Sequence, residues 1–499
     1  EPSDPKYIII MIADGWGAKQ IEATAQYTGT FPMYQVGPAW REYWMSTFPI
    51  EGSYETTKAW NDFKYVLEGH VTDSAASATA LYSGNKTQNG RINVTGDGAD
   101  RFLTIGEIAT KQGMGSGAVS TVPVSHATPG AWIGHNDDRN NGYAMASEGF
   151  FNDPNATGVS TKLYYGGGHG STFPSADVII GSRGAHYIDS AIITKLRKES
   201  GRKGKHFLVE GKKGKDGGSV LLSAAGNSGV TKLAGLFDHV YHKADDSGFA
   251  AENPTLSDST SAALTVLNRN PNGFALTIEG GAVDWACHLN SMDNLIGEMV
   301  DFNEAVQTVN DWVDDSMNGS SWHNTLVIVT GDHETGYLTA GPGVFPDVPL
   351  GGVNTETISK GKIYSGSWGR SGSWEDSDGD SVIDPGETVY WAWNSGGHSN
   401  LLIPLYARGV GSELFANDAT VFDTMRGFYI DNTDVFFTMK SVIGNLPVVP
   451  VTWVDTVGVV VNGNSIAKTV SAGWGNGGAA SLESFTGNGG VEFAASAAD

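Results

Sequence analysis

A serine whose position suits phosphoryl chemistry stands at the start of a run of small residues. Ser74 follows Asp73 and opens residues 74–81, a run that predicts a helix. The free N–H groups and positive dipole end of a helix N-terminus favour an anion, so a hydroxyl there could meet a phosphate as a nucleophile. An Asp-Ser pair is also an ordinary helix start that only caps the helix. The choice between the two depends on ligand-type residues elsewhere in the chain.

Carboxylates and imidazoles of the kinds that bind metal ions follow three apolar runs. Residues 7–13, 274–278 and 325–330 predict strands buried on both faces. Asp14 and Glu279 come directly after the first two runs, and Asp332 and His333 follow the third after Gly331. Open α/β sheets place ligands at the carboxyl ends of their strands, so these side chains would converge there. A turn aspartate is the alternative for Asp14 alone, but the set as a whole predicts a metal site.

Three further residues extend this set of ligand types. Asp284 and His288 are four residues apart, so they would share one face of a helix and could bind one metal ion. His398 lies in a Gly-Gly-His-Ser segment. Cys287, the only cysteine, lies between these ligands. We interpret it as a small buried residue rather than a thiol that serves the metal, because its neighbours already supply a full ligand set.

Arg139 is a candidate phosphate-binding cation. It lies thirteen residues after His126, and a guanidinium can bind a phosphate with two parallel hydrogen bonds. A surface salt bridge is the alternative for this arginine when it is considered alone.

An acidic segment within residues 339–396, a region rich in Gly, Ser and Trp, fits the twelve-residue pattern of a calcium loop. Acids fill positions 1, 3, 5 and 12, but Ser381 replaces the glycine at position 6 and no clear helices flank the segment. The candidate calcium residues are Asp376, Asp378, Asp380, Asp384 and Glu387. The alternative is a solvated acidic turn.

The order of apolar and amphipathic segments predicts an α/β fold. Strands and helices alternate, so we expect a mostly parallel central sheet flanked by helices on both faces. We expect a catalytic domain over residues 1–447 that contains a large insertion at 339–396. Residues 448–499 predict a short β-rich segment, which we interpret as an incomplete module.

The composition excludes several classes of partner. Asp and Glu outnumber Lys and Arg by 55 to 31, which gives a net charge of −24 and disfavours a nucleic-acid scaffold role. No apolar run approaches the 18 residues of a membrane span. The acidic surface suits saline surroundings. The start at Glu1, without an initiator methionine, predicts either an exported protein whose signal peptide has been removed or a trimmed chain.

Taken together, the motifs resemble those of the alkaline phosphatase family. The matching segments are Asp14-Gly15, Asp73 through Ala80, His126 through Pro129 with Arg139, Glu279-Gly280 with Asp284 and His288, Thr330 through His333, and Gly396-Gly397-His398. They follow the family's order and internal spacing, and they cover roughly residues 6–440. The resemblance implies the family's three-layer α/β sandwich. It also implies hydrolysis of phosphomonoesters with broad specificity, through a phosphoserine on Ser74.

The resemblance also implies a centre of two Zn²⁺ and one Mg²⁺. By this resemblance, Asp284, His288 and His398 hold the first zinc, and Asp14, Asp332 and His333 hold the second, which activates Ser74. Asp14, Thr128 and Glu279 hold the magnesium, and Arg139 binds the phosphate.

Two positions that vary within the family place this chain near its marine bacterial branch. They are His126 and Trp285, beside the phosphate. The insertion at 339–396 also suits that branch, in which it reaches over a partner subunit, so the resemblance implies a homodimer. With the acidic surface, it implies a secreted or periplasmic enzyme of a halophilic or marine bacterium.

The sequence leaves other functions open. Sulfatases of the same superfamily use a Cys/Ser-x-Pro-x-Arg setting, which the residues after Ser74 do not provide. Diesterases lack the third metal, so Thr128 and Glu279 favour a monoesterase. The acidic segment and the β-rich tail also suit a metal-stabilised surface-attachment protein, which turnover of a phosphomonoester would distinguish from an enzyme.

Overall fold

A computed structural model describes residues 5–151, 175–340, 372–374 and 389–444, and four short strands between residues 453 and 481. The chain divides into two compact units, Glu1–Gly444 and Asn445–Asp499. The acidic segment considered for calcium lies outside the described residues, so calcium binding there stays a prediction. Its residues are Asp376, Asp378, Asp380, Asp384 and Glu387.

The strands of the first unit are numbered in chain order. They are β1 (Tyr7–Ala13), β2 (Arg41–Ser46), β3 (Gly115–Pro123), β4 (Val178–Ser182), β5 (Phe207–Glu210), β6 (Leu233–Phe237), β7 (Phe274–Gly280), β8 (Thr325–Thr330), β9 (Glu334–Thr335), β10 (Leu338–Ala340), β11 (Gly372–Trp374), β12 (Val389–Trp393), β13 (His398–Ser399), β14 (Ile403–Gly409), β15 (Val421–Asp423) and β16 (Gly427–Asp431).

An 11-stranded sheet organises this unit, in the order β15-β16-β2-β14-β8-β1-β7-β3-β4-β6-β5. Every pairing from β8 to β5 is parallel, whereas β14 runs antiparallel between β8 and β2. All residues of β1, β7 and β8 are buried, as their continuous apolar runs predict. The expected α/β class with a mostly parallel central sheet is confirmed.

Helices cover both faces of this sheet. They are α1 (Ala18–Thr28), α2 (Met33–Val36), α3 (Thr56–Asn61), α4 (Phe63–Glu68), α5 (Ser74–Ser83), α6 (Ile105–Lys111), α7 (Ala127–Gly130), α8 (Gly142–Phe151), α9 (Ser190–Glu199), α10 (Gly217–Gly226), α11 (Leu256–Leu267), α12 (Ala282–His288), α13 (Met292–Asp314), α14 (Phe415–Asp418) and α15 (Asn432–Val442), with a 3₁₀ turn at Ser316–Asn318. Ile9 and Met11 of β1 belong to the core that α11 and α13 complete. On the other face, Tyr82 of α5 hydrogen-bonds Thr277 of β7 at 2.8 Å.

The apolar run at residues 401–405 predicts a strand, but the observed strand β14 begins only at Ile403. Leu401 and Leu402 pack instead in a separate cluster with aromatic residues such as Tyr65, ahead of the first pairing between Ile403 and Met45. Apolarity alone does not distinguish packing in a side cluster from pairing in a sheet.

The second unit has β-structure in its described residues. Its strands are β17 (Trp453–Val457), β18 (Val459–Asn462), β19 (Ser465–Lys468) and β20 (Gly478–Ser481). β17 pairs with β20 and β18 pairs with β19, both antiparallel. That this tail is an incomplete module stays a prediction. Among the described helices, none combines the length and the hydrophobicity that crossing a membrane would need.

Candidate metal centre

The central strands deliver three carboxylates to one edge of the sheet. In the register of β1 with its neighbours, Ile12 lies opposite Glu279 of β7 and Thr330 of β8. Asp14 follows β1 directly and Asp332 follows β8 after Gly331, so both lie at the same edge as Glu279. Gly15, at φ 79°, makes the turn after Asp14, and its N–H donates to Asp332 Oδ1 at 3.0 Å.

The first group of ligand-type atoms comes from Asp14, Asp332 and His333, whose candidate ligand atoms lie within 4.8 Å of one another. All three side chains are fully buried. Both carboxylate oxygens of Asp14, and Oδ2 of Asp332, have no hydrogen-bond partner among the residues that the structure describes. Burial, together with the neighbouring carboxylates, raises the pKa of Asp14 well above its usual range and raises that of Asp332 to about 7. Buried oxygens without donors are costly, and a divalent cation would satisfy them.

A second group comes from α12 and the segment before β14. Asp284 Oδ2 lies 3.3 Å from His288 Nε2, and His398 Nε2 lies 3.1 Å from His288 Nε2. The Nδ1 atom of His288 donates to the Gly396 carbonyl at 2.7 Å, and that of His398 donates to the Thr72 carbonyl at 2.8 Å. These outer bonds leave both Nε2 atoms turned toward Asp284, the arrangement that orients histidine ligands of metals. Asp284 and His288 both lie in α12, the helix that their four-residue spacing suggests.

The two groups adjoin each other. The His333 ring stacks on the His398 ring with centroids 3.6 Å apart, and atoms of Asp284, His333 and His398 also lie within 4.8 Å of one another. The structure therefore places His333 beside both candidate sites, whereas the sequence resemblance assigns it to one.

A third group of ligand-type atoms surrounds Glu279 and shares Asp14 with the first group. Atoms of Asp14, His126 and Glu279 lie within 4.8 Å of one another. Thr128 Oγ1 and Glu279 Oε1 are buried and find no hydrogen-bond partner in the described part of the chain, while Ser120 donates to Glu279 Oε2. Burial and the nearby Asp332 raise the pKa of Glu279 to about 8. The oxygens of this group suit a hard cation such as Mg²⁺.

Ser74 is the first residue of α5 and is buried. Its Oγ lies 3.3 Å from His333 Nε2. Asp73 is the residue that caps the helix, because its carboxylate accepts the N–H of Ala76 at 2.9 Å. The capping function that the sequence allows for the Asp-Ser pair thus belongs to Asp73, and the Ser74 hydroxyl faces the first ligand group.

Arg139 is held close to these groups. Its Nη1 donates to Asp73 Oδ2 at 2.9 Å, and its Nη2 lies 3.4 Å from His126 Nε2. The Arg139 side chain is only 22% exposed, so this pair is not an ordinary surface salt bridge. Burial and the adjacent guanidinium lower the pKa of His126 to about 3, which keeps its imidazole neutral.

Several residues of the centre escape sequence reasoning. Thr335 Oγ1 donates to Asp284 Oδ1 at 2.6 Å, and Ser77 Oγ donates to the Asp332 carbonyl at 2.6 Å. Small hydroxyl residues are common everywhere, so only their positions within the ligand motifs could have indicated them.

Two residues named from the sequence also lie here. Trp285 is half-buried, with its ring centroid 5.7 Å from that of His126. Cys287 is buried, as expected of a small core residue.

Comparison with known sequences relates this geometry to one family. The family model for alkaline phosphatase matches residues 5–444. The chain is 28% identical over 480 residues to alkaline phosphatase 3 of Bacillus subtilis, covering 86% of this chain and 87% of that protein. It is 28% identical over 472 residues to the alkaline phosphatase of Escherichia coli, covering 88% of this chain and 86% of that one.

Solved structures share the fold. The alkaline phosphatase of the Antarctic bacterium TAB5 aligns with a TM-score of 0.57 at 23% identity, covering 88% of this chain and 99% of that one. A His 135 Asp mutant of that enzyme, described with Mg bound in its M3 site, aligns with a TM-score of 0.59 at 22% identity, covering 89% of this chain and 99% of that one. Because the family match spans nearly all of the first unit, the chain belongs to the alkaline phosphatase family and is a phosphomonoesterase.

Proposed function

We propose that this phosphomonoesterase works through a covalent phosphoserine on Ser74, in a centre that holds two Zn²⁺ and one Mg²⁺. The observation that carries the proposal is the contact of Ser74 Oγ with His333 Nε2 at 3.3 Å, beside carboxylate oxygens of Asp14 and Asp332 to which no described residue donates. A nucleophile and a set of unsatisfied metal-type ligands thus meet at one buried point.

The donors divide by chemistry between the two kinds of metal. The groups that contain imidazoles suit Zn²⁺, and these are Asp284, His288 and His398 for one ion and Asp14, Asp332 and His333 for the other. Asp14, Thr128 and Glu279 offer oxygens and suit Mg²⁺. When bound, such ions supply Lewis acidity that lowers the pKa of a hydroxyl or water, and positive charge that balances the phosphoryl oxygens.

The chain's own residues account for the bond changes. Ser74 Oγ attacks phosphorus while the ester P–O bond breaks, which yields the alcohol and phosphoserine. Water then cleaves the phosphoserine, which releases inorganic phosphate and restores Ser74. Arg139 binds phosphoryl oxygens with its guanidinium throughout, and His126 and Trp285 flank it. The described contacts include no group dedicated to reading one particular alcohol, so we propose broad specificity.

The test compares Ser74→Ala with Ser83→Ala, a matched change at the other end of α5, where Ser83 Oγ only donates to the Thr79 carbonyl. We expect Ser74→Ala to lose several orders of magnitude of p-nitrophenyl phosphate turnover with its metal content intact, and Ser83→Ala to stay near the parent. Acid quenching with labelled substrate should trap phosphate on Ser74. Near-parental turnover by Ser74→Ala would overturn the proposal.

Three expectations from the sequence accompany this proposal. We propose that the protein is exported to the periplasm or beyond, that it works in saline surroundings, and that it forms a homodimer through residues 339–396. The acidic composition supports the second of these. Thr128 and Glu279, both buried beside Asp14, favour this monoesterase over a diesterase of the same superfamily.

A further inference from the structure

Five aromatic rings form a continuous series beside the metal centre, which we call the aromatic wall: Tyr187, His126, Trp285, His239 and Tyr241. In this order, neighbouring ring centroids are 5.7, 5.7, 4.9 and 4.8 Å apart. Three of the four contacts have interplanar angles between 81° and 87°, the edge-to-face geometry that aromatic pairs prefer. All the rings except His126 are half-buried, so each keeps surface that a ligand could contact.

The wall is assembled from segments that are distant in sequence. Its members follow separate strands: His126 follows β3, Tyr187 follows β4, His239 and Tyr241 follow β6, and Trp285 lies in α12 after β7. The neighbouring strands β7, β3, β4 and β6 lie in this order in the sheet. The wall therefore extends along the same sheet edge as the metal centre, on the side of β1 opposite to β8.

One end of the wall lies next to the groups proposed for the reaction. His126 Nε2 is 3.4 Å from Arg139 Nη2, so the wall begins beside the guanidinium proposed to hold the phosphate. Trp285 follows Asp284 directly in α12 and precedes His288 by three residues, so it shares a helix with two candidate metal ligands.

The in-line geometry of phosphoryl transfer separates the leaving alcohol from Ser74. The attacking and leaving oxygens are roughly in line with phosphorus, so the alcohol leaves on the face opposite to Ser74 Oγ. The wall begins at His126, beside the guanidinium proposed to hold the phosphoryl group, and so lies within reach of a group attached to that phosphate.

The wall offers an uncharged surface at the pH of the reaction. Burial lowers the pKa of His239, so its ring is neutral. Its Nδ1 lies 3.3 Å from the Thr121 carbonyl, and its Nε2 is buried with no hydrogen-bond partner from the described segments. Neutral rings in edge-to-face contact suit a flat aromatic ligand better than a charged or strongly hydrated one.

We propose that the aromatic wall binds the ring of aryl phosphomonoesters, which makes His239 and Tyr241 specificity-determining residues. This inference rests on the proposed function, because it assumes phosphate bound at Arg139 and attack by Ser74. It refines the expected broad specificity: esters of phenols bind more tightly than esters of alkyl alcohols.

The experiment measures competitive inhibition by phosphonates, whose P–C bond the enzyme cannot cleave, so that binding is separated from leaving-group chemistry. The metal-loaded full chain is assayed with phenylphosphonate, cyclohexylphosphonate, methylphosphonate and inorganic phosphate. The variants are His239→Ala, Tyr241→Ala and the double variant. Phe428→Ala is the matched control, because Phe428 is an exposed ring on β16, near the other end of the sheet.

We expect the parent to bind phenylphosphonate about two- to tenfold more tightly than either other phosphonate, a range typical of one or two aromatic contacts. The double variant should lose this preference for phenylphosphonate while its inhibition constant for phosphate changes less than twofold. Phe428→Ala should keep the preference. Equal binding of the phenyl and cyclohexyl compounds, or a preference that survives in the double variant, would overturn the proposal.

The outcome also distinguishes this inference from the proposed function. A parent that hydrolyses phosphomonoesters through Ser74 but binds phenyl- and methylphosphonate equally would refute the wall alone. A metal-loaded parent that hydrolyses phosphomonoesters without any dependence on Ser74 would refute the proposed function instead.

Discussion

Arg139 and Asp73 form a charged hydrogen bond, with Nη1 of the arginine 2.9 Å from Oδ2 of the aspartate. The guanidinium proposed to bind phosphate is therefore tied to the residue directly before the proposed nucleophile. Asp73 also accepts the N–H groups of Ala76 and Gly90, at 2.9 and 2.8 Å. One carboxylate thus fixes the start of α5, the loop at Gly90 and the position of Arg139.

Replacing Asp73 should separate these functions. Asp73→Asn can keep one side-chain oxygen for the helix cap, but its amide N–H₂ then replaces Oδ2, which accepts from Arg139 and Gly90. Phosphate should therefore bind several-fold more weakly, with some loss of stability from the unpaired donors. Asp73→Ala should add about 1 kcal/mol of destabilisation from the lost cap. Phosphate inhibition constants and urea unfolding of both variants check this. Unchanged phosphate binding in both would show that Arg139 needs no such partner.

Gly15 is required for a close approach of two segments of the centre. It has φ 79°, and a Cβ there would lie 2.7 Å from the Asp284 Cα. Gly15→Ala should therefore displace Asp284, lower the zinc content and cut turnover at least tenfold. Gly29→Ala is the matched control, because Gly29 has φ 73° and no described residue lies within 4 Å of its added Cβ. Both variants carry the same backbone strain of about 1 kcal/mol, so a difference in metal content measures the contact alone. Equal metal content in the two variants would contradict this account.

Local signals in the sequence indicate the candidate metal ligands that the structure brings together, and the binding of metal by them stays a prediction. Each of β1, β7 and β8 is a continuous apolar run, and the parallel register then places Asp14, Glu279 and Asp332 at one edge. The contact between Asp73 and Arg139 joins residues 66 positions apart, and no local pattern encodes it. The aromatic wall is equally hidden, since its rings come from four loops or helices whose spacing depends on the whole sheet.

A buried ionic cluster around His135, which lies four residues before Arg139, should make stability depend on pH. His135 lies 3.0 Å from a Glu148 oxygen and 3.4 Å from a Glu107 oxygen, and Arg101 contacts all three, with every side chain at most 2% exposed. Burial and Arg101 disfavour the imidazolium, but the two carboxylates outweigh them and raise the pKa of His135 to about 9. A raised pKa means that the folded state binds the extra proton more tightly than the unfolded one.

The stabilisation from His135 is therefore complete below its unfolded pKa of about 6.5 and is lost as the pH rises through about 9. We expect His135→Gln to be less stable than the parent at pH 6 and the difference to shrink by pH 9.5. Urea unfolding of both proteins, with metals present throughout, gives the measurement. A difference that stays constant or grows over this range would show that the charge on His135 does not stabilise the fold.

Removing the metal ions should destabilise the protein most at alkaline pH. Without cations, the raised pKa values of Asp14, Asp332 and Glu279 mean that the folded state holds protons on these carboxyl groups which the unfolded state has released, and ionising them at higher pH leaves buried negative charge. The metal-free protein should therefore lose stability as the pH rises from about 4 through about 8, whereas bound cations replace those protons in the loaded protein. Thermal unfolding after EDTA treatment and dialysis, with and without added Zn²⁺ and Mg²⁺, checks this between pH 6 and 9.

Glu279→Gln is the informative variant, because it removes one of the titrating carboxyl groups. Its metal-free form should lose less stability over this range than the metal-free parent. If the metal-free parent and the loaded parent show the same pH dependence, cations do not occupy these carboxylates.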